Sequence, residues 1–453
     1  RTHYCENMIL NEDSLLLLIL IFSWGEFLWE MYLSYRQVNY QLIYKSKNEI
    51  PEVFKEHITK ESFEKSRTYG LDKSKFRMIK ETYSIIVMTI VLYNRWIYAA
   101  WSYCETIAAI FNLSLDSEKT ISCIFIILST LFNVVTMMPF TIYMTFVLEE
   151  KHGFNKQTVG FFVKDQLKSL ALNLVITLPI VSIALYIIML GGNMFVVWLW
   201  LFTTIVTLLL LTIYPSIIAP LFDKFVPLPD GSLRQGIEKL AARLKFPLSQ
   251  VYIVEGSKRS AHSNAYFTGI FGEKRIVLFD TLIEKFDEEK KITTGCNEQE
   301  VLGVLGHELG HWQCNHVNKS IALTEVNLLL VFTAFGLLFK YSLLYKTLGF
   351  PAGQEPVIIG LIVVLQVILA PYNTILSFFA TALARKFEYE ADDFAVSLNF
   401  TEELITSLIK LGKDNLDFPY YDHVYSMWHH THPTLLDRVE NLKTKIAEKN
   451  KSE

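Results

Sequence analysis

The chain has 453 residues, 51% of them hydrophobic and only 19% charged, with a formal net charge of −4. Its mean hydropathy of +0.29 argues against a soluble enzyme, and the near-neutral charge leaves no basic field that would suggest a nucleic-acid partner. Five cysteines, at 5, 104, 123, 296 and 314, are scattered without a C-x-x-C pair, which points to free thiols and not to a disulfide framework or a cysteine zinc cluster.

The first residues, from Arg1 to Met8, lack an initiator Met and read as truncated, processed or added. The apolar run after them has no small-residue cleavage site at its flanks, so it reads as a membrane anchor and not a removable signal. A helix needs about 20 apolar residues to cross a bilayer. Seven segments meet that length, at 15–35, 83–111, 121–148, 167–190, 195–221, 321–344 and 357–383. The second and the last are longer than needed, which implies tilt or extension beyond the membrane. Pro139, Pro179, Pro215 and Pro371 interrupt several of them, as membrane helices tolerate.

Lysine and arginine concentrate in 36–80 and 151–168, and in places in 222–319 and after 384, and are sparse in the short turns at 112–120 and 191–194 and in the 345–356 loop. The positive-inside rule then places the N-terminus on the lumenal or outer side and the C-terminus in the cytosol, which an odd number of crossings requires. Glu26, Glu30, Arg95, Glu105 and Glu325 fall within or beside apolar segments. A mid-bilayer charge costs about 2.5–3.5 kcal/mol on insertion scales, so these groups either face a wet interior or snorkel from segment ends. The charge-dense 36–80 stretch also carries aromatics and reads as a packed cytosolic segment.

The long polar insert spans 222–319. Leu233, Ile237, Leu240 and Leu244 have helical spacing, 251–254 reads as a strand, and 264–270 with 274–279 reads as a hairpin around Phe271-Gly272-Glu273. Asn297 with Glu300 three residues on is a capping box, so a helix starts there. Along it, Val301, Leu302, Leu305, Leu309 and Trp312 form one apolar stripe. His307 and His311, four apart, share the opposite side.

His307-Glu308-Leu309-Gly310-His311 is the H-E-x-x-H pattern of a zinc hydrolase helix, in which the imidazoles hold one metal and the glutamate takes a proton from water. The competing interpretation is a capped helix with two surface histidines. A catalytic zinc needs a third protein ligand. Gln313 follows Trp312, so the metzincin continuation is absent. His316, five beyond His311, falls on a different face of the helix and reads as structural. The favoured candidate is Glu388, with Asp392 one turn on to fix a histidine tautomer. Glu390 and Asp393 point elsewhere and read as solvated. By itself this acidic cluster would be an ordinary surface helix face.

Seven stretches, in order, then acquire a common meaning: 149–155 (EEKHGFN), 218–224 (IAPLFDK), 256–260 (GSKRS), 262–266 (HSNAY), 307–312 (HELGHW), 388–392 (EYEAD) and 428–433 (WHHTHP). The set closely resembles the type I CAAX prenyl endopeptidases, integral-membrane zinc proteases, from about residue 20 to 445. The resemblance implies a mostly α, polytopic membrane protein: seven transmembrane helices around a large water-filled chamber, with a small zinc-protease domain containing a short β hairpin or sheet. It implies removal of the C-terminal -AAX tripeptide from prenylated CAAX proteins or peptides, in some members with a second upstream cut.

On the matched positions, His307, His311 and Glu388 would hold one Zn2+ per chain, Glu308 would be the general base, and Asp392 would partner a zinc histidine or donate a proton. Asn264 and His432 would flank the metal and hold substrate or the oxyanion, and Arg438 matches the arginine after the His-Pro pair. Glu390 and Asp393 add charge where relatives often carry neutral residues, and the loop between Phe286 and Cys296 looks shorter than in some relatives.

The expected organisation is 1–221 with five crossings and a cytosolic loop at about 36–82, an insert at 222–319, two crossings in 320–384, and the third-ligand helix with a cytosolic tail in 385–453. The partners expected are prenylated substrates and the lipid bilayer, with no nucleic acid. The lysine-rich end, 449–453, resembles an endoplasmic-reticulum retrieval signal, and the expected location is that membrane, with the inner nuclear membrane as a further address. A membrane quality-control protease, a polytopic metal transporter and a pseudoenzyme scaffold are the alternatives. The transporter is disfavoured because both histidines sit in a polar insert and not inside a crossing.

Overall fold

A computed structural model describes residues 11–47, 50–113, 118–269, 272–287 and 292–452. The retrieval-like tail falls partly outside these residues, as do the N-terminal stretch, the hairpin tip at 270–271 and most of the loop after Phe286. The membrane region begins with α1 (Glu12–Lys47) and α2 (Lys60–Tyr93), whose N-cap Thr59 accepts the Ser62 amide. Then come α3 (Trp96–Ile110), α4 (Glu118–Tyr143), α5 (Val159–Leu190) and α6 (Phe195–Ile213), which runs through a π turn into α7 (Ala219–Phe222).

The polar insert carries β1 (Phe225–Pro227), α8 (Ser232–Leu244), β2 (Leu248–Val254), β3 (Ala265–Thr268), β4 (Lys274–Phe279), β5 (Lys285–Asp287), β6 (Ile292–Thr294) and α9 (Glu298–Gln313). Beyond it lie α10 (His316–Leu338), α11 (Ser342–Thr347), α12 (Val357–Val363) and α13 (Ala370–Ser397). The chain ends with α14 (Thr401–Asp414), α15 (His423–His429) and α16 (Leu435–Ser452).

Among the described residues, five helical stretches are long and apolar enough to cross a membrane, and seven are if each of two bent pairs makes one span. Those pairs show that the second and last segments, expected to tilt or to extend beyond the membrane, are each bent. α2 and α3 meet at 69°, where Arg95 takes a left-handed φ of 56° and ends the ladder of the incoming helix. The stretch from α12 bends by 56° into α13, where Leu369 leaves helical geometry just ahead of Pro371. Apolar side chains such as Val135, Val175, Ile205 and Leu337 stand exposed on these helices, as a lipid-facing surface requires. Their inner faces bury Leu185, Leu199, Phe335 and Val364 in one cluster.

Four of the charges inside this region, Glu26, Glu30, Glu105 and Glu325, accept side-chain hydrogen bonds. Trp428 Nε1 donates to Glu30 at 2.7 Å, Thr374 to Glu26 at 2.7 Å, and Thr204 to Glu325 at 2.5 Å. Glu105 accepts from Trp101 and Gln354. Glu26, Glu30, Arg77, Glu81, His429 and His430 line a cavity of about 750 Å³, and a neighbouring one of about 670 Å³ shares Gln366 with it. Of the charges flagged from the sequence, Glu26 and Glu30 thus face space between the helices.

In the insert, the hairpin strands 264–270 and 274–279 appear as β3 and β4, antiparallel from Ala265 opposite Leu278 to Thr268 opposite Arg275. The sheet order β1-β2-β4-β3 leaves β3 at an edge. The capping box forms: Glu300 N–H donates to Asn297 Oδ1 at 3.0 Å, and Asn297 N–H to Glu300 Oε2 at 2.8 Å. Val301, Leu305 and Leu309 of the predicted stripe are almost fully buried against the sheet and α8, with Leu302 beside them. Each such side chain contributes about 1.5–3 kcal/mol, so α9 is anchored far more by its stripe than by its cap. A joint fixes the sheet to the membrane helices. Arg259 donates to Asp165, Asp223 and the Phe222 carbonyl, and Phe154 stacks on His262 with centroids 4.1 Å apart.

Candidate metal centre

α13 crosses α9 on the side away from the stripe, and the approach is close because α9 has no side chain there. A Cβ on Gly310 would sit 3.0 Å from both Cα and O of Ala391, and one on Gly303 would sit 3.0 Å from Glu403 and Leu404. α13 thereby presents Glu388 to both histidines. Its Oε2 lies 3.5 Å from His307 Nε2, and its Oε1 lies 3.3 Å from His311 Nε2. The two Nε2 atoms are 3.3 Å apart. Ligand atoms from all three residues fall within 4.8 Å of one another, and this is the metal-competent group found among the described residues.

The donor set fits a divalent cation. Glu388 Oε2 is buried without a hydrogen-bond partner, and two imidazole nitrogens converge beside it. Two histidines and a glutamate are a recurrent zinc set. Burial alone would raise the Glu388 carboxyl, but the neighbouring His307 and His311 rings, with the Arg438 charge behind them, hold it well below the usual carboxylate range. An anionic oxygen pair therefore faces the two imidazoles.

The predicted partner is also in place. His307 Nδ1–H donates to Asp392 Oδ1 at 2.8 Å, which leaves Nε2 turned toward Glu388. Asp392 is fully buried and is clamped by Arg438, Nε to Oδ2 at 3.0 Å and Nη2 to Oδ1 at 2.6 Å. Arg438 Nη1 also lies 3.5 Å from Glu388 Oε2. His432 reaches the cluster from the segment after α15, with Nε2 3.3 Å from Glu388 Oε1. That segment is held by Arg385, which donates to the Met427 and His430 carbonyls, and by the Arg36–Asp422 pair.

Glu308 and Asn264 complete the group. Glu308 borders two cavities, of about 620 and 570 Å³, that share it with His311 and Glu388. Burial pushes its carboxyl above the ordinary glutamate value, His307 and His311 pull it back, and Glu388 adds to the rise. Asn264 lines the smaller cavity beside His432 and Arg438 and leads directly into edge strand β3. The larger cavity runs along Tyr266, Phe267 and Thr268.

All eight predicted positions thus meet in one place. His316, read as structural, stays outside the metal-competent group, but its Nδ1 lies 3.0 Å from His311 Nδ1. Glu390, read as solvated, is part-exposed and hydrogen-bonds His316 at 2.9 Å, while Asp393 is half-exposed and pairs with Lys445 at 3.2 Å. The contact between the two histidines comes from a break in the helix. α9 ends at Gln313, Asn315 takes a left-handed φ of 57°, and α10 starts again at His316, so the face count carried over from α9 does not apply.

Comparison with known proteins agrees with this arrangement. Residues 39–224 match the model of the CAAX prenyl protease N-terminal region of five membrane helices, and 227–446 match that of peptidase family M48. The CAAX prenyl protease 1 homolog of Homo sapiens is 45% identical, with 94% of each chain covered. That of Taenia solium is 43% identical over 95% of each chain. A crystal structure of Ste24p from S. mikatae superposes with a TM-score of 0.84 at 34% identity, covering 94% of this chain and 98% of that one. The chain belongs to the CAAX prenyl protease family of M48 metallopeptidases.

Proposed function

We propose that this membrane metalloendopeptidase uses zinc to remove the C-terminal tripeptide from prenylated CAAX proteins, with a second upstream cut in some substrates. The observation that carries the reading is the convergence of His307, His311 and Glu388 with Glu308 between two cavities. Zinc held by that triad would supply Lewis-acid activation of water and of the scissile carbonyl.

The chain's own groups do the rest. Glu308 takes the proton from the attacking water and delivers it to the leaving amine. The edge of β3 receives the substrate backbone as an added strand. Asn264 and His432, on one wall of the smaller cavity, hold the substrate carbonyl as charge develops on it. Asp392, neutralised by Arg438, keeps His307 in the tautomer whose Nε2 lone pair faces the cation.

The lysine and arginine distribution supports a cytosolic active site and C-terminus; the lysine-rich end at 449–453 and the family resemblance support the endoplasmic reticulum membrane, with the inner nuclear membrane as a further address. Purified protein, incubated with a farnesylated CAAX peptide and with its unprenylated counterpart, tests the assignment by product mass. The expected result is loss of three residues from the farnesylated peptide, abolished by chelation and restored by zinc. No cleavage by zinc-loaded protein, or cleavage indifferent to chelation, would overturn it.

A further inference from the structure

We propose that His316 and Glu390 are a positioning pair for the metal centre, locking His311 in its metal-binding tautomer as Asp392 locks His307. The proposal rests on the reading of His311 as a ligand. The two Nδ1 atoms of His311 and His316 are 3.0 Å apart, so one of them carries the shared proton and the other accepts it. Glu390 decides which. Its carboxylate only accepts, and it lies 2.9 Å from His316 Nε2, so that nitrogen carries a proton and donates. A neutral His316 then has its lone pair on Nδ1, where it accepts the His311 Nδ1–H. His311 is left with its lone pair on Nε2, which lies 3.3 Å from Glu388 Oε1 and 3.3 Å from His307 Nε2.

The ring that relays this choice is itself fixed. His316 is 3% exposed and stacks on Phe387 with centroids 4.1 Å apart and planes 9° from parallel. α13 thus acts on the metal site three times: Glu388 as ligand, Asp392 on His307, and Glu390 through His316 on His311. Of the two relays, the one through Glu390 reaches a half-exposed carboxylate, whereas Asp392 is fully buried.

The test is zinc affinity, read by competition against a fluorescent chelator on the purified full-length chain, with His307→Ala as the reference for metal loss. Removing a partner of this kind costs about 10–100-fold in metal affinity, and that is the loss expected for His316→Phe, which keeps the stacking but not the acceptor. Glu390→Leu should weaken zinc as well. Glu390→Gln should rescue it, because an amide oxygen accepts the same N–H. The double variant should bind no more weakly than His316→Phe alone, since the two residues act in series.

Metal-free melting separates positioning from support of the fold: Glu390→Leu should melt with the wild type once both are stripped. If His316→Phe does not fold, Glu390→Leu and Glu390→Gln carry the test. Zinc affinity unchanged in Glu390→Leu and His316→Phe, with His307→Ala losing metal, would overturn the pair and leave the metal site standing. A wild-type chain that binds no zinc would overturn both.

Discussion

Asp392 and Arg438 illustrate how much of this site depends on a buried pair behind the metal-competent group. Arg438 is 8% exposed and spends two donors on Asp392. Truncating one partner of such a buried pair costs about 3–5 kcal/mol. Asp392→Ala is therefore expected to lower denaturant stability by that order as well as weaken zinc, while Asp392→Asn, which keeps an acceptor, should lose less stability. Equal midpoints for wild type and Asp392→Ala would contradict the clamp.

As the proposed general base, Glu308 would set the acid side of the pH dependence. It works ionised, and burial holds its pKa above the ordinary 4.5. The acid limb of kcat/KM should accordingly lie above 4.5, with activity falling as pH drops through it. A profile flat down to that value would assign the base elsewhere.

At this scale the sequence was informative where spacing is local. His307, Glu308 and His311 follow from helical geometry alone, and Glu388 with Asp392 follows from a second such pair. Asn264, His432 and Arg438 came only from family resemblance, since no period connects a hairpin, a loop and the last helix. The contact of His316 with His311 is not legible because a single left-handed residue, Asn315, restarts the helix and redirects its face.

At the scale of elements, the helix start at Asn297, the stripe of α9 and the β3–β4 hairpin were all legible, because capping, amphipathic period and alternation are written locally. The bends at Arg95 and Leu369 were not. Arg95 and Pro371 mark both places in the sequence, but the size of each bend comes from one residue's backbone angle or a change in ladder geometry.

The glycines of α9 were also overlooked as a signal. Their spacing marks the faces where α13 and α14 approach, and a Cβ on Gly310 would lie 3.0 Å from the Ala391 backbone. Gly310→Val should force the two helices apart, costing about 1–3 kcal/mol as overpacking. It should also weaken zinc by shifting Glu388 from His311. Thermal melting and metal titration read the two effects. Wild-type metal affinity in that variant would show that α13 is not positioned by this contact.

For the whole molecule, the ligands come from two helices separated by the run from α10 to α12, so a bound ion bridges the polar insert and the membrane bundle. The protein joint at Arg259 already links them on another side. Zinc at about 100 times its Kd should add about 2.7 kcal/mol to stability, raising the melting temperature of the wild type and leaving Glu388→Ala unmoved. Equal shifts in both proteins would mean that the ion does not bridge these parts.

The central claim is that hydrolysis runs through Glu308 at a site that binds metal without it. The most direct measurement is therefore zinc content and peptide turnover on the same preparation of Glu308→Gln. The expected result is one zinc per chain with turnover of the farnesylated CAAX peptide abolished. Turnover that survives the substitution, with the metal in place, would contradict it.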